Sequence, residues 1–182
     1  MLATLTSSII IYLLTHHIGM LGKLIQEFEA RNISILAIGC DTVPNYRKWI
    51  KDIEELNSTK INFPLLADPE MKVLYKFGCA RDIPPKKEFK LLCNGAFIID
   101  LDFRIRFSYK YSTHVGRNLY ELLRAYDALQ LALTHRIVTP SNWGMGQDVL
   151  LHNDVTNEEA NHLRFAVVKP YFRLAACPEG SE

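Results

Sequence analysis

Residues 18–38, IGMLGKLIQEFEARNISILAI, decide the fold class. Ile18, Leu21, Leu24, Ile25 and Phe28 recur at three- and four-residue spacing, the period of one helical face. Asn32 tolerates the left-handed conformation that closes a helix. ISILAI (33–38) is then short, apolar and rich in β-branched residues, as a strand buried on both faces must be. A helix delivered straight into a buried strand is half of an α/β layer.

Downstream the same alternation continues. Pro44 suits a first helical turn, and Trp49, Ile50, Ile53 and Leu56 form one apolar face. NFPLL (62–66) reads as a strand, and a short helix runs from Pro69 to Gly78. Residues 79–94, with Pro84-Pro85, read as a loop. GAFII (95–99), a turn at Asp100–Asp102 and RIRFSYKY (104–111) predict a hairpin. In its second strand Ile105, Phe107, Tyr109 and Tyr111 alternate with polar residues, so one face is expected to be buried. A long helix is expected over 117–134, with Leu119, Leu122, Leu123, Tyr126, Leu129 and Leu133 inward. The order α-β-α-β-α-β-β-α predicts an open sheet covered on both faces. Beyond Arg136 the composition turns to Pro, Asn and Gly, which predicts two domains, 1–135 and 136–182.

The opening residues behave differently. Residues 1–14 carry no charge, and Ile9–Leu14 is an unbroken apolar run. A secretory signal needs a basic start and a small-residue cleavage site, and neither is present. A membrane span needs about 20 apolar residues, and His16-His17 interrupt this run. It reads as a buried strand or the start of a helix.

Composition excludes several classes. The 182 residues are 48% apolar with a formal net charge of +1, which gives no electrostatic case for nucleic acid or an acidic membrane surface. The basic stretch Arg81–Lys90 reads as a solvated loop. Four cysteines, Cys40, Cys79, Cys93 and Cys177, lie far apart, without a CxxC pair or zinc-ligand spacing, and fit a reducing, cytoplasmic setting. The adjacent His16 and His17 point to different helix faces and cannot chelate together, so surface histidines are expected and no metal or cofactor is implied.

Five segments keep the order and spacing of a known family: EFEARNISILAI (27–38), FPLLADPE (63–70), GAFIIDLD (95–102), YSTHVGRN (111–118) and RIVTPSNW (136–143). Over about residues 15–165 the chain resembles the one-Cys peroxiredoxins of the AhpC/TSA superfamily. The GRN turn and the TP-x-x-W stretch are the specific signals. The resemblance implies a thioredoxin-like α/β fold with a small C-terminal domain, thiol-dependent reduction of hydrogen peroxide and organic hydroperoxides, a thiol reductant as partner, and a homodimer joined through the outer hairpin strand.

The resemblance also implies an active site, and the carry-over is poor. The family's proline, Thr/Ser and peroxidatic cysteine fall at Ser7, Ile11 and Leu14, its histidine at Thr6 and one arginine at Asn94; a second arginine is retained as Arg117. The chemistry needs a thiolate activated by positive groups and a helix N-terminus, and the product is a sulfenic acid. Leucine supplies no nucleophile, and neither do Thr15, His16 or His17 beside it. The chain is therefore expected to be catalytically inactive as written. The alternative is an incomplete or alternatively spliced form of an active thiol peroxidase. Cys93, beside the Asn94 position, is the substitute nucleophile to consider, though a free cysteine is more often a small buried hydrophobe. Arg117 either retains an anion-binding role or pairs with a carboxylate and shapes its turn. No G-x-S-x-G motif supports a lipase activity. Too little chain precedes the helix for the family's opening hairpin, so the first sheet strand is expected to be lacking, with residues 1–14 supplying at most a makeshift one.

Overall fold

A computed structural model describes residues 2–6, 11–83, 88–159 and 165–178. Contacts divide the chain into two compact units, residues 1–119 and 120–182, upstream of the boundary expected after His135. The long helix therefore belongs almost wholly to the second unit.

The first unit is built on a five-stranded sheet. Its elements are β1 (Leu2–Thr6), α1 (Ile11–Lys23), α2 (Ile25–Ala30), β2 (Ile35–Gly39), α3 (Val43–Asn57), β3 (Leu65–Ala67), α4 (Lys72–Lys76), β4 (Ala80–Ile83), β5 (Glu88–Leu91), β6 (Cys93–Ile99) and β7 (Ile105–Ser112). The sheet order is β3-β2-β1-β6-β7, and β4 and β5 form a separate hairpin. β1 lies in the middle, parallel to β2 (Leu2↔Ile35 to Thr6↔Gly39) and antiparallel to β6 (Leu2↔Ile98 to Leu5↔Gly95). This corrects the expectation of a lacking first strand: five residues satisfy the backbone groups of both neighbours, which an empty central position would leave exposed.

Three further expectations need correction. Residues 79–94 contain the β4–β5 hairpin, paired from Ala80↔Leu91 to Ile83↔Glu88, rather than an open loop. Its charged residues hide the alternation, and Pro84-Pro85 lie outside the described residues. The helix read from Ile18 begins at Ile11 and is interrupted at Leu24. The aromatic face of β7 is only half-buried, with Ile105 exposed, since β7 is the sheet edge.

Asn32 does take the left-handed conformation expected of it, with φ 54°. Pro44 sits in the first turn of α3. On α3 the buried residues are Tyr46, Ile53 and Asn57, whereas Leu56 is exposed. Helix α1 packs on α3 so closely that a Cβ at Gly19 would lie 2.1 Å from the Asn57 side chain, so only glycine fits there. Asn57 Nδ2 donates to the Thr15 carbonyl (3.3 Å) and Trp49 Nε1 to Thr15 Oγ1 (2.9 Å), tying α1 to α3 by polar contacts as well.

The second unit holds α5 (Leu119–His135), β8 (Ile137–Val138), β9 (Val149–Leu151), β10 (Phe165–Lys169) and β11 (Phe172–Ala175), with sheet order β10-β11-β9-β8. Its core gathers Leu131, Ile137, Trp143, Val149, Leu151, Val155 and Ala175, so the Trp of the TP-x-x-W stretch is a central packing residue. Trp143 Nε1 donates to the Gln147 carbonyl at 2.9 Å, which satisfies its one polar atom. On α5 Leu119, Leu122, Leu123, Ala125 and Leu131 are buried; Leu133, expected inward, is exposed.

Candidate functional site

The sheet register gathers the expected site positions at one edge of the first unit. Parallel strands β1 and β2 end together at Thr6 and Gly39, and antiparallel β6 begins there, with Leu5 opposite Gly95. β7 ends beside that start, since Asn94 pairs with Tyr111 and Cys93 with Ser112. The carboxyl ends of parallel strands are where α/β folds place their ligands. Ser7 lies outside the described residues, and Ile11 opens α1.

Leu14 is in the first turn of α1 and only 3% exposed. With His17, Ile18 and Leu21 it forms the buried stripe of that helix, at i, i+3, i+4 and i+7. His16 is exposed but His17 is buried, a correction to the reading of both as surface residues. The reason is tertiary: the Arg117 backbone N–H donates to His17 Nε2 at 2.9 Å. Because Nε2 accepts, the neutral ring carries its proton on Nδ1, which is buried with no hydrogen-bond partner. Burial first, and the Arg117 charge second, lower the His17 pKa to about 4, so the ring is neutral at pH 7.

Arg117 is 6% exposed, and its Nη1 donates to the Gly95 carbonyl at 2.9 Å. Burial lowers its pKa to about 10, which leaves it a cation at neutral pH. Asn94, at the second arginine position, is 1% exposed, and its Oδ1 has no hydrogen-bond partner. Arg117 thus meets the neutral His17 ring and the Gly95 carbonyl next to Asn94, where the resemblance implies two guanidinium groups, and Leu14 shares the buried stripe of α1 with His17.

Two thiols lie beside this cluster. Cys79 is fully buried and Cys93 half-buried. A Cβ at Gly95 would meet Cys79 Sγ at 2.8 Å, so the glycine lets this sulfur pack against β6. Burial pushes the Cys79 thiol up to about 12. It is a protonated thiol rather than a thiolate at neutral pH. Cys40 packs against the same apolar cluster, and Cys177 belongs to the core of the second unit. Among the described residues no group of three or more His, Cys, Asp or Glu can hold a metal ion. An open surface groove of about 630 Å³ lies at the end of α3, lined by Lys51, Glu54, Glu55, Ser58, Thr59 and Lys60; it contains none of the site positions.

Comparison with known proteins identifies the family and the fold. Residues 14–108 match the AhpC/TSA family, and residues 128–165 match the C-terminal domain of 1-Cys peroxiredoxin. The chain is 35% identical over 167 residues to a 1-Cys peroxiredoxin of Dictyostelium discoideum, covering 90% of this chain and 68% of the relative. The chain belongs to the 1-Cys peroxiredoxins. It is 34% identical to the mitochondrial peroxiredoxin PRX1 of Saccharomyces cerevisiae, across 88% of this chain and 64% of that one. The solved yeast mitochondrial 1-Cys peroxiredoxin superposes with a TM-score of 0.84 at 29% identity, covering 96% of this chain and 86% of that one. A variant of the peroxiredoxin 6 of Arenicola marina gives 0.86 at 26% identity, covering 98% and 87%. The thioredoxin-like peroxiredoxin fold and the C-terminal domain are those expected from the sequence. No helix among the described residues is long and apolar enough to cross a membrane.

His17 and Cys79 take their places beside this cluster only through the fold; from the sequence His17 reads as a surface residue and Cys79 as a less favoured substitute thiol than Cys93. The one available signal for His17 was its place on the Leu14–Ile18–Leu21 stripe. Cys79 gave no signal, because its neighbours come from β6.

Proposed function

We propose that this 1-Cys peroxiredoxin does not run its family's peroxidase reaction, and that it acts as a dimerising, binding member of the family. The observation that carries this reading is Leu14, buried in the first turn of α1 where the attacking thiolate would stand. Without a nucleophile no sulfenic intermediate forms there. Asn94 in place of the second cation supports the same conclusion, because an amide neither stabilises a thiolate nor polarises a peroxide as a guanidinium does. The purified chain with dithiothreitol should consume hydrogen peroxide no faster than its thiols react one by one. Turnover at a family-like rate that disappears in Cys93→Ser would overturn the reading and make Cys93 the family's nucleophile by substitution; slow, stoichiometry-limited oxidation of single thiols would not.

Leu14→Cys alone should restore little activity, because Ile11 and Asn94 remain. Adding Ile11→Thr and Asn94→Arg should raise the rate well beyond the single change. A full rate from the single change would show that activation does not need these partners. Dimerisation rests on β7: it is the sheet edge, and Phe107, Tyr109 and Tyr111 stack edge-on along it while staying half-exposed. An edge strand of this kind is costly to leave unpaired, and a two-fold pairing would cover it. Light scattering should give twice the 20.9 kDa chain mass; a clean monomer at micromolar concentration refutes this interface. Four free thiols support a reducing compartment such as the cytoplasm.

A second reading is favoured by the family match beginning at Leu14 itself. In it, residues 1–14 replace a cysteine-bearing segment of an active thiol peroxidase. A transcript with a Pro…Thr…Cys segment joined ahead of residue 15 would establish it.

A further inference from the structure

Cys79 and Cys93 are 14 positions apart in sequence, yet the fold makes them neighbours. Both Leu92 N–H (2.8 Å) and Cys93 N–H (3.4 Å) donate to the single carbonyl of Cys79. Two successive donors on one acceptor are the signature of a β-bulge, which sets Leu92 and Cys93 together opposite Cys79. Burial first, and the neighbouring Cys93 sulfur second, raise the Cys79 thiol. Directly opposed cross-strand residues stand about 4.5–5.5 Å apart at Cα, within the roughly 4.4–6.8 Å that a disulfide spans. The ends of the β4–β5 hairpin, Ala80 and Leu91, are paired immediately inside the two cysteines, so the backbone holds them in place.

The two sulfurs differ in access. Cys79 is 0% exposed, whereas Cys93 is half-buried and can meet a small oxidant. Cys93 Sγ lies 4.0 Å from the Gly78 carbonyl, to which Lys110 Nζ also donates at 3.2 Å, so an ammonium group stands beside that sulfur.

We infer that Cys79 and Cys93 form a reversible intramolecular disulfide when the protein meets a hydroperoxide. The Cys93 thiolate attacks one peroxide oxygen, the O–O bond breaks, and the departing hydroxide takes up a proton as water; Cys93 becomes a sulfenic acid. The Cys79 sulfur then attacks the Cys93 sulfur. The S–O bond breaks, the S–S bond forms, and the Cys79 thiol proton leaves with the hydroxyl as a second water. Two thiols are oxidised and one peroxide is reduced to two waters. A dithiol reductant returns the pair to its starting state by exchange. This modification site does not depend on position 14, and it responds to oxidant whether or not the chain turns over peroxide.

The test is an intact-mass and peptide experiment on the full chain. Reduced protein is exposed to one equivalent of hydrogen peroxide, alkylated with N-ethylmaleimide, and digested with trypsin without reduction. The expected product is residues 77–81 (FGCAR) joined to residues 91–104 (LLCNGAFIIDLDFR), with two thiols lost to alkylation and recovered after dithiothreitol. Cys93→Ser should abolish the link, while Cys40→Ser and Cys177→Ser should leave it intact. Since Cys79 is buried and its replacement risks the fold, Cys93→Ser carries the test, with circular dichroism to check that it stays folded. A sulfinic acid on Cys93 with Cys79 still alkylatable after unfolding would overturn the inference, and so would links that involve only Cys40, Cys177 or a second chain.

Discussion

Two buried polar sites in the first unit handle their hydrogen bonds in opposite ways. Asp68, after β3, is buried, and its carboxylate accepts from the backbone N–H groups of Lys72 (3.0 Å), Val73 (2.9 Å) and Leu74 (3.0 Å). It organises the start of α4 and holds Met71 in a left-handed conformation, φ 52°. Across the sheet, Asn94 Oδ1 and His17 Nδ1 are as deeply buried and have no partner. Buried polar groups are normally satisfied because an unmade hydrogen bond costs about 1–3 kcal/mol. The first site is built for stability. The second lies where the family resemblance implies an active site, and there Asn94 Oδ1 and His17 Nδ1 are buried without the partners that a packing site would supply.

The contrast can be broken in three places. The largest effect should come from Asp68→Ala, which removes the acceptor of three N–H groups and should cost about 2–4 kcal/mol. Urea unfolding measures it, and a loss of under about 1 kcal/mol would mean that water or the chain replaces the carboxylate.

A smaller effect should follow pH through His17. Its folded pKa of about 4 lies below the ordinary value of 6.5, so the unfolded chain binds the additional proton between those values. The contribution of the neutral ring is complete above about pH 6.5 and is lost as pH falls towards 4, amounting to about 3 kcal/mol at most. The difference in stability between the wild type and His17→Gln should therefore shrink over this window. A difference that stays constant would place the ring in water.

The smallest effect is expected at Asn94. Replacing an unpartnered buried amide oxygen by carbon, in Asn94→Leu, should change stability by less than about 1 kcal/mol, and in the stabilising direction. Thermal unfolding of the variant beside Asp68→Ala sharpens the comparison. A loss above about 2 kcal/mol at Asn94 would show that its oxygen is bonded in solution.

Local pattern carried much of this fold. The stripe from Ile18 to Phe28, the left-handed Asn32, the buried run of β2 and the hairpin of β6 and β7 all follow from spacing and residue type within a few positions. Failures occurred where the neighbour was remote. β1 reads from the sequence as at most a makeshift strand, because LATLT gains its central place only through β2 and β6. The β4–β5 hairpin was hidden by charge and proline. Tyr109 and Tyr111 looked like core residues, but their strand is an edge.

By itself the sequence determined the order of helices and strands and, through the GRN and TP-x-x-W segments, the family. The resemblance also implied that Leu14, Ile11 and Asn94 stand where that family's chemistry needs other groups. Burial period is a local property, so it can be read from neighbouring residues. Only the tertiary structure decided what surrounds those positions. His17 and Arg117 meet across 100 positions, and Cys79 reaches Cys93 through a bulge at the foot of a hairpin. Such meetings depend on strand order and register, because one step of register moves a side chain to the other face of the sheet.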